Sequence, residues 1–511
     1  MNLSDAGRII LSSLGLAVAM ALSSLFLWKS NWLAAPAGFL HGFHGTGVVV
    51  GVAVSVAVLL WCLVSRSSLR KLGVLVVPAI CFACLLASCL PTVDGTSRWM
   101  LGVIAPVVGS YALVFAWLYV VAMRDIESSL FMLLLSWVIS FFVRTFFESF
   151  SGTLATWAVS VVLMAACWGL LLVQVRQVAS DTPMATSSFA SNRTSYLHGV
   201  RSFWRSALYC GAFAFLGGLV RFLAVDTEAM TLINYCSALA GLLAPIVLMV
   251  LWRFRTVRYN IDGVFRLAFP LLVISLGLLP FVGSSVPFLA LAALLYMTYS
   301  FLSLSLQALS IQIAHDYGID PVFCFSFQTL VCLLTQGAGY ALGACAPIGA
   351  AFGVPPLAVM ALGSVCFLAL VLYGTRAFYP SKSEESRPVE FLSLALGRNG
   401  QSRMDATPVV LEEEGDVASG EKKPMGSSET MPPHYEDKTA LRCDLIGRKY
   451  ALSQREMEIM LLFARGNTIS SVAEELFISE NTVKTHMRRL YMKLGIHKKQ
   501  ELFALINSHI D

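Results

Sequence analysis

The chain has 511 residues, enough for two or more domains. Its 57% hydrophobic and 13% charged content, with a mean hydropathy of +0.72, excludes an ordinary soluble protein and points to a largely membrane-embedded one. A net charge of +5 is too small to define a partner, and the twelve cysteines lie mostly in apolar runs, where a thiol serves as filler.

The run from Ile9 to Trp28 is too long for a signal-peptide core and lacks a clear cleavage site, so it reads as a retained first span. Runs long enough to cross about 30 Å of hydrocarbon then recur. They cover Ile9–Trp28, Phe43–Val64, Leu72–Leu90, Met100–Ala122, Leu130–Phe147 and Leu154–Val175. After a polar break from Arg176 to Arg205 come Trp204–Ala224, Met230–Trp252, Val264–Phe281, Val286–Leu309, Phe323–Cys345 and Val354–Ala377. Residues 1–378 are therefore expected to form a polytopic helical bundle of about twelve spans.

Loops that face inward when the N-terminus is inside carry about fifteen arginines and lysines, from Arg8 to Lys382, against Lys29, Arg98, Arg144 and Arg221 on the other side. That bias places both termini in the cytoplasm.

Polar residues within the spans are few. Arg144 and Glu148, one helical turn apart near the outer end of the fifth span, either grip a ligand's charged group or satisfy each other at the interface. Arg221, Asp226 and Glu228 form a similar cluster. Asn234, Gln307, Gln312, Gln328 and Gln336 line a cavity or join helices by hydrogen bonds. Gly47–Gly51 and Gly339–Gly343 have the spacing of close helix contacts. Cys81-x-x-Cys84 lies mid-span without a companion pair, so filler is favoured over metal or redox work. No nucleophile with a base, metal spacing or phosphate loop is present, which predicts no catalytic activity, no cofactor and no metal.

The six-plus-six layout resembles the major facilitator superfamily. That family often carries an Asp-Arg-x-Gly-Arg-Arg type motif after its second span. Here Ser65-Arg66-Ser67-Ser68-Leu69-Arg70-Lys71 keeps cations but lacks the aspartate and glycine. The resemblance implies the fold. It does not imply the transport cycle, because proton-driven transport usually needs buried carboxylates and almost none lies in a span.

From residue 379 to 449 the composition turns to Ser, Glu, Pro, Gly and Lys, which predicts a disordered cytoplasmic tether. Within it, Phe391-Leu392-x-Leu394-Ala395-Leu396 is a short apolar patch that could dock on the bilayer or fold back.

Residues 450–511 read as a small helical unit. Ser453-Gln454-Arg455-Glu456 fits a capping box, and Met457, Met460, Leu461 and Ala464 follow at helical spacing to a cap at Gly466. Thr468 caps a second helix to about Phe477, and Ser479 caps a third over Glu480–Leu494, which Gly495 ends. Val483, Met487, Leu490 and Leu494 form its inward stripe. Asn481, Thr485, Arg488 and Met492, flanked by Lys484 and Arg489, form a basic outward face suited to a major groove. A last helix from Lys498 offers Leu502, Leu505 and Ile506 as a homodimer face.

The ordered set Leu452-Ser453-x-Arg455-Glu456, Gly466, Ile478-Ser479-x-x-Thr482-Val483-Lys484-x-His486 and Lys493-Leu494-Gly495 resembles the LuxR/FixJ/NarL-type helix-turn-helix. The resemblance implies that Lys484, Thr485 and Arg488 reach base edges, and that Thr482 and His486 lie near the DNA backbone or brace the helix. One departure stands out. Thr468-Ile469-Ser470-Ser471 replaces the usual Ser-Asn-Lys-Glu, so a capping glutamate worth about 1 kcal/mol is lost, along with one phosphate-contacting cation.

The expectation is an all-α regulator in a bacterial inner membrane. It combines sequence-specific binding of double-stranded promoter DNA with a membrane domain that senses or transduces a signal, from a small-molecule effector or a partner. The alternatives are a secondary transporter with an auxiliary DNA-binding tail, and a scaffold tethering partners without regulating genes.

Overall fold

The computed structural model describes residues 3–28, 39–64, 79, 83, 104–148, 153–178, 183–186, 188–189, 192–225, 229–254, 257–278, 285–377, 389–391, 438–450, 452–464, 467–476, 478, 480–496 and 499–508. The chain divides into two compact units, one spanning Met1–Leu394 and one taking in Ala395–Leu476 and Glu480–Asp511.

The first unit contains helices α1 (Leu3–Trp28), α2 (Phe39–Val64), α3 (Ala105–Ala122), α4 (Ile126–Glu148), α5 (Thr153–Val175), α6 (Arg193–Ala224) and α7 (Ala229–Phe254). Strand β1 (Val257–Tyr259) then precedes α8 (Ile261–Leu278), α9 (Ser285–Tyr317), α10 (Pro321–Cys345), α11 (Pro356–Ala377) and strand β2 (Val389–Phe391). Among the described residues, ten helices are long and apolar enough to cross a membrane. The unit is thus a multi-pass membrane domain. Eleven of the expected spans coincide with a helix. The expected span Leu72–Leu90 and the Cys81-x-x-Cys84 pair lie outside the described residues.

Close helix contacts rest on small residues. Helix α10 packs along α6 and α2. A Cβ on Gly218 would collide with the Gln336 carbonyl, and one on Gly339 with the Phe215 carbonyl, so the two backbones touch. In the other half, α1 packs on α3, α4 and α5. Buried Trp117 lies against Gly15 and donates to Cys167 Sγ (3.1 Å), which donates in turn to the Gly15 carbonyl (3.3 Å).

Two helices run furthest beyond the expected spans. Helix α6 begins at Arg193, inside the stretch expected as a polar break. Ser195, Tyr196, Gly199 and Phe203 are buried at helical spacing while Arg193, Leu197, His198 and Arg201 are exposed. Averaged hydropathy hides such an amphipathic start. Tyr196 packs edge-on against Phe323 and accepts a hydrogen bond from the Asp320 amide (3.3 Å). Helix α9 runs on to Tyr317, where Gly318 turns the chain at φ 63° and Asp320 caps α10 by accepting from the Val322 amide (2.9 Å).

The stretch expected as a disordered tether departs from that expectation at both ends. Near its start, β2 pairs antiparallel with β1, with Val257 opposite Phe391 and Tyr259 opposite Val389. This two-stranded ribbon is the one non-helical addition to the all-α expectation among the described residues. Of the apolar patch only Phe391 is among the described residues, and it folds back: Val389 and Phe391 are buried, and the Phe391 ring meets Trp252 at 5.3 Å. Near its end, helix α12 (Lys438–Lys449) belongs to the second unit. Its polar composition hides an apolar side that buries Cys443 and Ile446, and Gly447 sits close against Met457.

The rest of the second unit comprises α13 (Gln454–Ala464), α14 (Ile469–Glu475), α15 (Glu480–Leu494) and α16 (Lys499–Ser508). The expected homodimer face is corrected here. Leu502 and Ile506 are buried, at 0% and 3% exposure, and Leu505 is half-buried. Helix α12, which sequence reading left out of the unit, packs on both α13 and α16.

Candidate nucleic-acid interface

Three local devices tie the helices of this unit together, and the second of them holds α15. The first is the capping box of α13: the Glu456 amide donates to Ser453 Oγ (3.2 Å), and the Ser453 amide donates to the Glu456 carboxylate (2.7 Å). The second joins that box to α15. Lys493 Nζ reaches the same Glu456 oxygen at 2.6 Å, with the two side chains 11% and 2% exposed. Burial alone pushes the Glu456 carboxyl up, but the Lys493 ammonium, the Ser453 amide and the His486 ring outweigh it and hold the group below its ordinary value. The third is Arg455, which pairs with Glu458 (2.7 Å) and donates to the Leu476 carbonyl at the end of α14.

Helix α14 starts as expected, with Thr468 Oγ1 accepting from the Ser471 amide (3.3 Å). The Ser471 hydroxyl, standing where the usual motif has a glutamate, donates to Asn467 Oδ1 (3.2 Å) instead of completing a capping box. Gly495 closes α15 at φ 68°. Gly466 and Ser479 lie outside the described residues.

On α15 the inward stripe is Val483, Met487, Leu490 and Leu494, all buried. Lys484, Thr485 and Arg488 are exposed, with Lys484 and Arg488 one turn apart, and Met492 is 51% exposed beside them. Arg489 is half-buried at the edge of this face. Asn481 is part of the helix, and its side chain is outside the described set. Of the two roles expected for Thr482 and His486, near the DNA backbone or bracing the helix, their burial at 6% and 2% exposure fits the second. Sequence reading assigned no role to Arg455, Glu456 as a charge, or Lys493. Their presence in the ordered motif was the available signal.

The membrane unit holds a second candidate site, a cavity of about 280 Å³ bordered by α1, α3, α4, α6, α7, α9 and α10. Arg144 lines it, as do Arg221, Gln307, Gln328 and Gln336; Glu148 has its side chain outside the described set, and Gln312 is buried elsewhere. Arg221 donates to Asn234 Oδ1 (3.1 Å) and lies over the Tyr296 ring at 5.3 Å. Trp137 donates to Gln307 Oε1 (3.0 Å). Two arginines and no carboxylate are among the lining residues described.

These features define a multi-pass membrane protein that ends in a compact helix-turn-helix unit. Comparison makes that unit specific. Residues 450–506 match the family model described as bacterial regulatory proteins, luxR family, so the chain carries a LuxR-type DNA-binding domain. Over 53 residues, 10% of this chain and 24% of the relative, it is 49% identical to the "Probable transcriptional regulatory protein NarL" of Mycobacterium tuberculosis. It is 37% identical over 59 residues to the response regulator UvrY of Escherichia coli, covering 12% of this chain and 27% of that one. The chain thus spans about a quarter of the length of these relatives. Among solved structures, it is similar to a bacterial homologue of the iron transporter ferroportin, at 11% identity and TM-score 0.48 over 72% of this chain and 99% of that one. It is also similar to the major facilitator superfamily transporter FucP, at 13% identity and TM-score 0.45 over 72% and 98%. Likeness this distant says nothing about transport.

Proposed function

We propose that this chain is a membrane-anchored transcription regulator of bacterial type, and that α15 reads promoter DNA in the major groove. The observation that supports the reading most is the exposed set Lys484, Thr485 and Arg488 on a helix whose opposite side is fully packed, within a LuxR-type domain. Lys484, Thr485 and Arg488 contact base edges; Arg489 and Asn481 lie at the margin of the contact. The protein sits in the inner membrane with both termini cytoplasmic. It binds DNA as a dimer through a surface other than the buried Leu502 and Ile506. It catalyses nothing. Its effector occupies the cavity that Arg144 and Arg221 line.

The test is selection of duplexes from a random pool by full-length protein in lipid nanodiscs. A defined consensus is expected, with binding that falls steeply as salt rises. Arg488→Ala or Lys484→Ala should cost about 1–3 kcal/mol and relax preference at one base position. Uniform weakening across sequences would make that residue a phosphate contact, and no preference among duplexes would end the reading. The rival, a secondary transporter with an auxiliary tail, shares the cavity. Substrate uptake into vesicles by a chain ending at residue 380 would favour it.

A further inference from the structure

Strand β2 is the next described element after α11, and it belongs to the membrane unit. It is seated on β1, and both of its inward side chains are buried, Val389 at 0% and Phe391 at 1% exposure. Three residues of ribbon are too short to hold by backbone hydrogen bonds alone. What holds it is anchoring to two helices. Phe391 packs against Trp252 on the last turns of α7. Tyr259 hydrogen-bonds to Ser305 Oγ on α9 (2.6 Å) and tilts against Phe301 at 5.3 Å.

The same two helices border the cavity. Helix α7 contributes Ser237, Ala238 and Gly241, and its Asn234 accepts from Arg221. Helix α9 contributes Tyr299, Ser300, Ser303, Leu306 and Gln307, on either side of the residues that hold Tyr259. A shift of α7 against α9 around an occupant therefore acts directly on the ribbon's two anchors.

We propose that the β1–β2 ribbon is the joint through which the cavity controls the DNA-binding unit. Seated, it makes the chain leave the membrane unit at Phe391; unseated, at Ala377. The position from which the second unit is held relative to DNA, and to a second copy, changes accordingly. A ligand works this joint only through unequal affinity for the seated and unseated states, which the cavity's border on both anchoring helices provides. The proposal rests on the regulator reading above.

Its first test needs no effector and no DNA. Arg258 and Glu390 are opposite each other at the centre of the ribbon. Paired residues across antiparallel strands lie about 4.5–5.5 Å apart, within the reach of a disulfide. Full-length protein bearing Arg258→Cys and Glu390→Cys is oxidised in native membranes, and the cross-link is measured by mass spectrometry. The cross-link is expected to form. Adding Ser303→Trp, which fills the cavity, should change its yield by about fivefold or more. Met297→Trp, on the exposed side of α9, should not. No cross-link, or a yield that Ser303→Trp and Met297→Trp leave equal, overturns the proposal.

The second test maps chromosomal sites occupied by full-length protein that vanish in a Lys484→Ala/Arg488→Ala variant. Phe391→Asp, which unseats β2, should change occupancy at those sites by about fivefold or more with the consensus unaltered. If such sites exist and Phe391→Asp leaves them alone, only the joint falls. If wild type has no such sites, the regulator reading falls and the joint with it.

Discussion

The two units solve the same problem, packing helices on helices, under opposite solvents. In the second unit water surrounds the helices, so apolar side chains gather on the buried side of each, as Val483, Met487, Leu490 and Leu494 do on α15. The short helices are pinned by named polar contacts: Ser453 with Glu456, Thr468 with Ser471, Glu456 with Lys493. In the membrane unit apolar side chains face both ways. Val49, Phe142 and Leu267 are exposed at 67%, 61% and 78% and would face lipid. There the contacts that decide which helices meet are made by what is missing, as at Gly218 and Gly339. Polar pins and absent side chains should therefore respond differently to substitution and to pH.

The largest expected effect falls on the polar pin. Glu456→Gln removes the charged partner that Lys493 meets at 2.6 Å, in a pair whose side chains are 2% and 11% exposed. The expected cost is about 3–5 kcal/mol in denaturant unfolding of a fragment covering residues 430–511. The sign of the pH dependence follows from the depressed pKa of Glu456. A carboxyl lowered in the folded state stabilises fully above its unfolded value of about 4.3 and loses that stabilisation as pH falls through the folded value. The gap between wild type and Glu456→Gln should therefore be flat from neutral pH to about pH 5 and close in stronger acid. A gap that stays constant into strong acid would mean that shape, and not charge, holds α13 to α15.

In the membrane unit the matching substitution adds atoms. Gly339→Leu places a side chain where the Phe215 carbonyl lies, and neither backbone can yield locally. Overpacking costs about 1–3 kcal/mol, and contact with main chain puts this case at the upper end. Detergent-solubilised protein should melt earlier, equally at pH 5 and pH 7. Gly7→Leu, where a Cβ meets nothing within 4 Å, should melt like wild type. If both melt alike, close approach at Gly339 does not hold α6 to α10.

The same contrast explains what could be read in advance. The stripe Val483, Met487, Leu490 and Leu494, the outward Lys484 and Arg488, and the caps at Ser453 and Thr468 followed from spacing, because amphipathic order carries rotational information. Most spans followed from length, but not which face of each turns inward, because lipid and protein interior are equally apolar. That is why Arg221, expected either to grip a ligand or to pair at the interface, is not placed beside Arg144 in one cavity by the sequence. Two further errors have one cause. The start of α6 and the whole of α12 read as loop because polar residues are interleaved with the apolar ones along both. Tyr196 and Phe203, like Cys443 and Ile446, show their burial only in three dimensions. Strand β2 is shorter than any window that averages, so Phe391 registered as a patch with no partner.

The smallest effect tests whether a departure from the family pattern matters. Helix α14 has seven residues and one side-chain cap, because Ser471 turns to Asn467 and does not return to the Thr468 amide. Thr468→Ala should cost about 1 kcal/mol, as for an ordinary N-cap. Ser471→Glu should recover part of a capping box and add a negative charge near the helix N-terminus, for a gain of about 0.5 kcal/mol. Both values come from thermal unfolding of the same 430–511 fragment. If Ser471→Glu stabilises wild type but not Thr468→Ala, the two residues act as a reciprocal cap. Equal gains in both backgrounds would assign the benefit to the helix dipole alone. In that case the missing glutamate has no structural consequence for α15, which Lys493 already ties to Glu456.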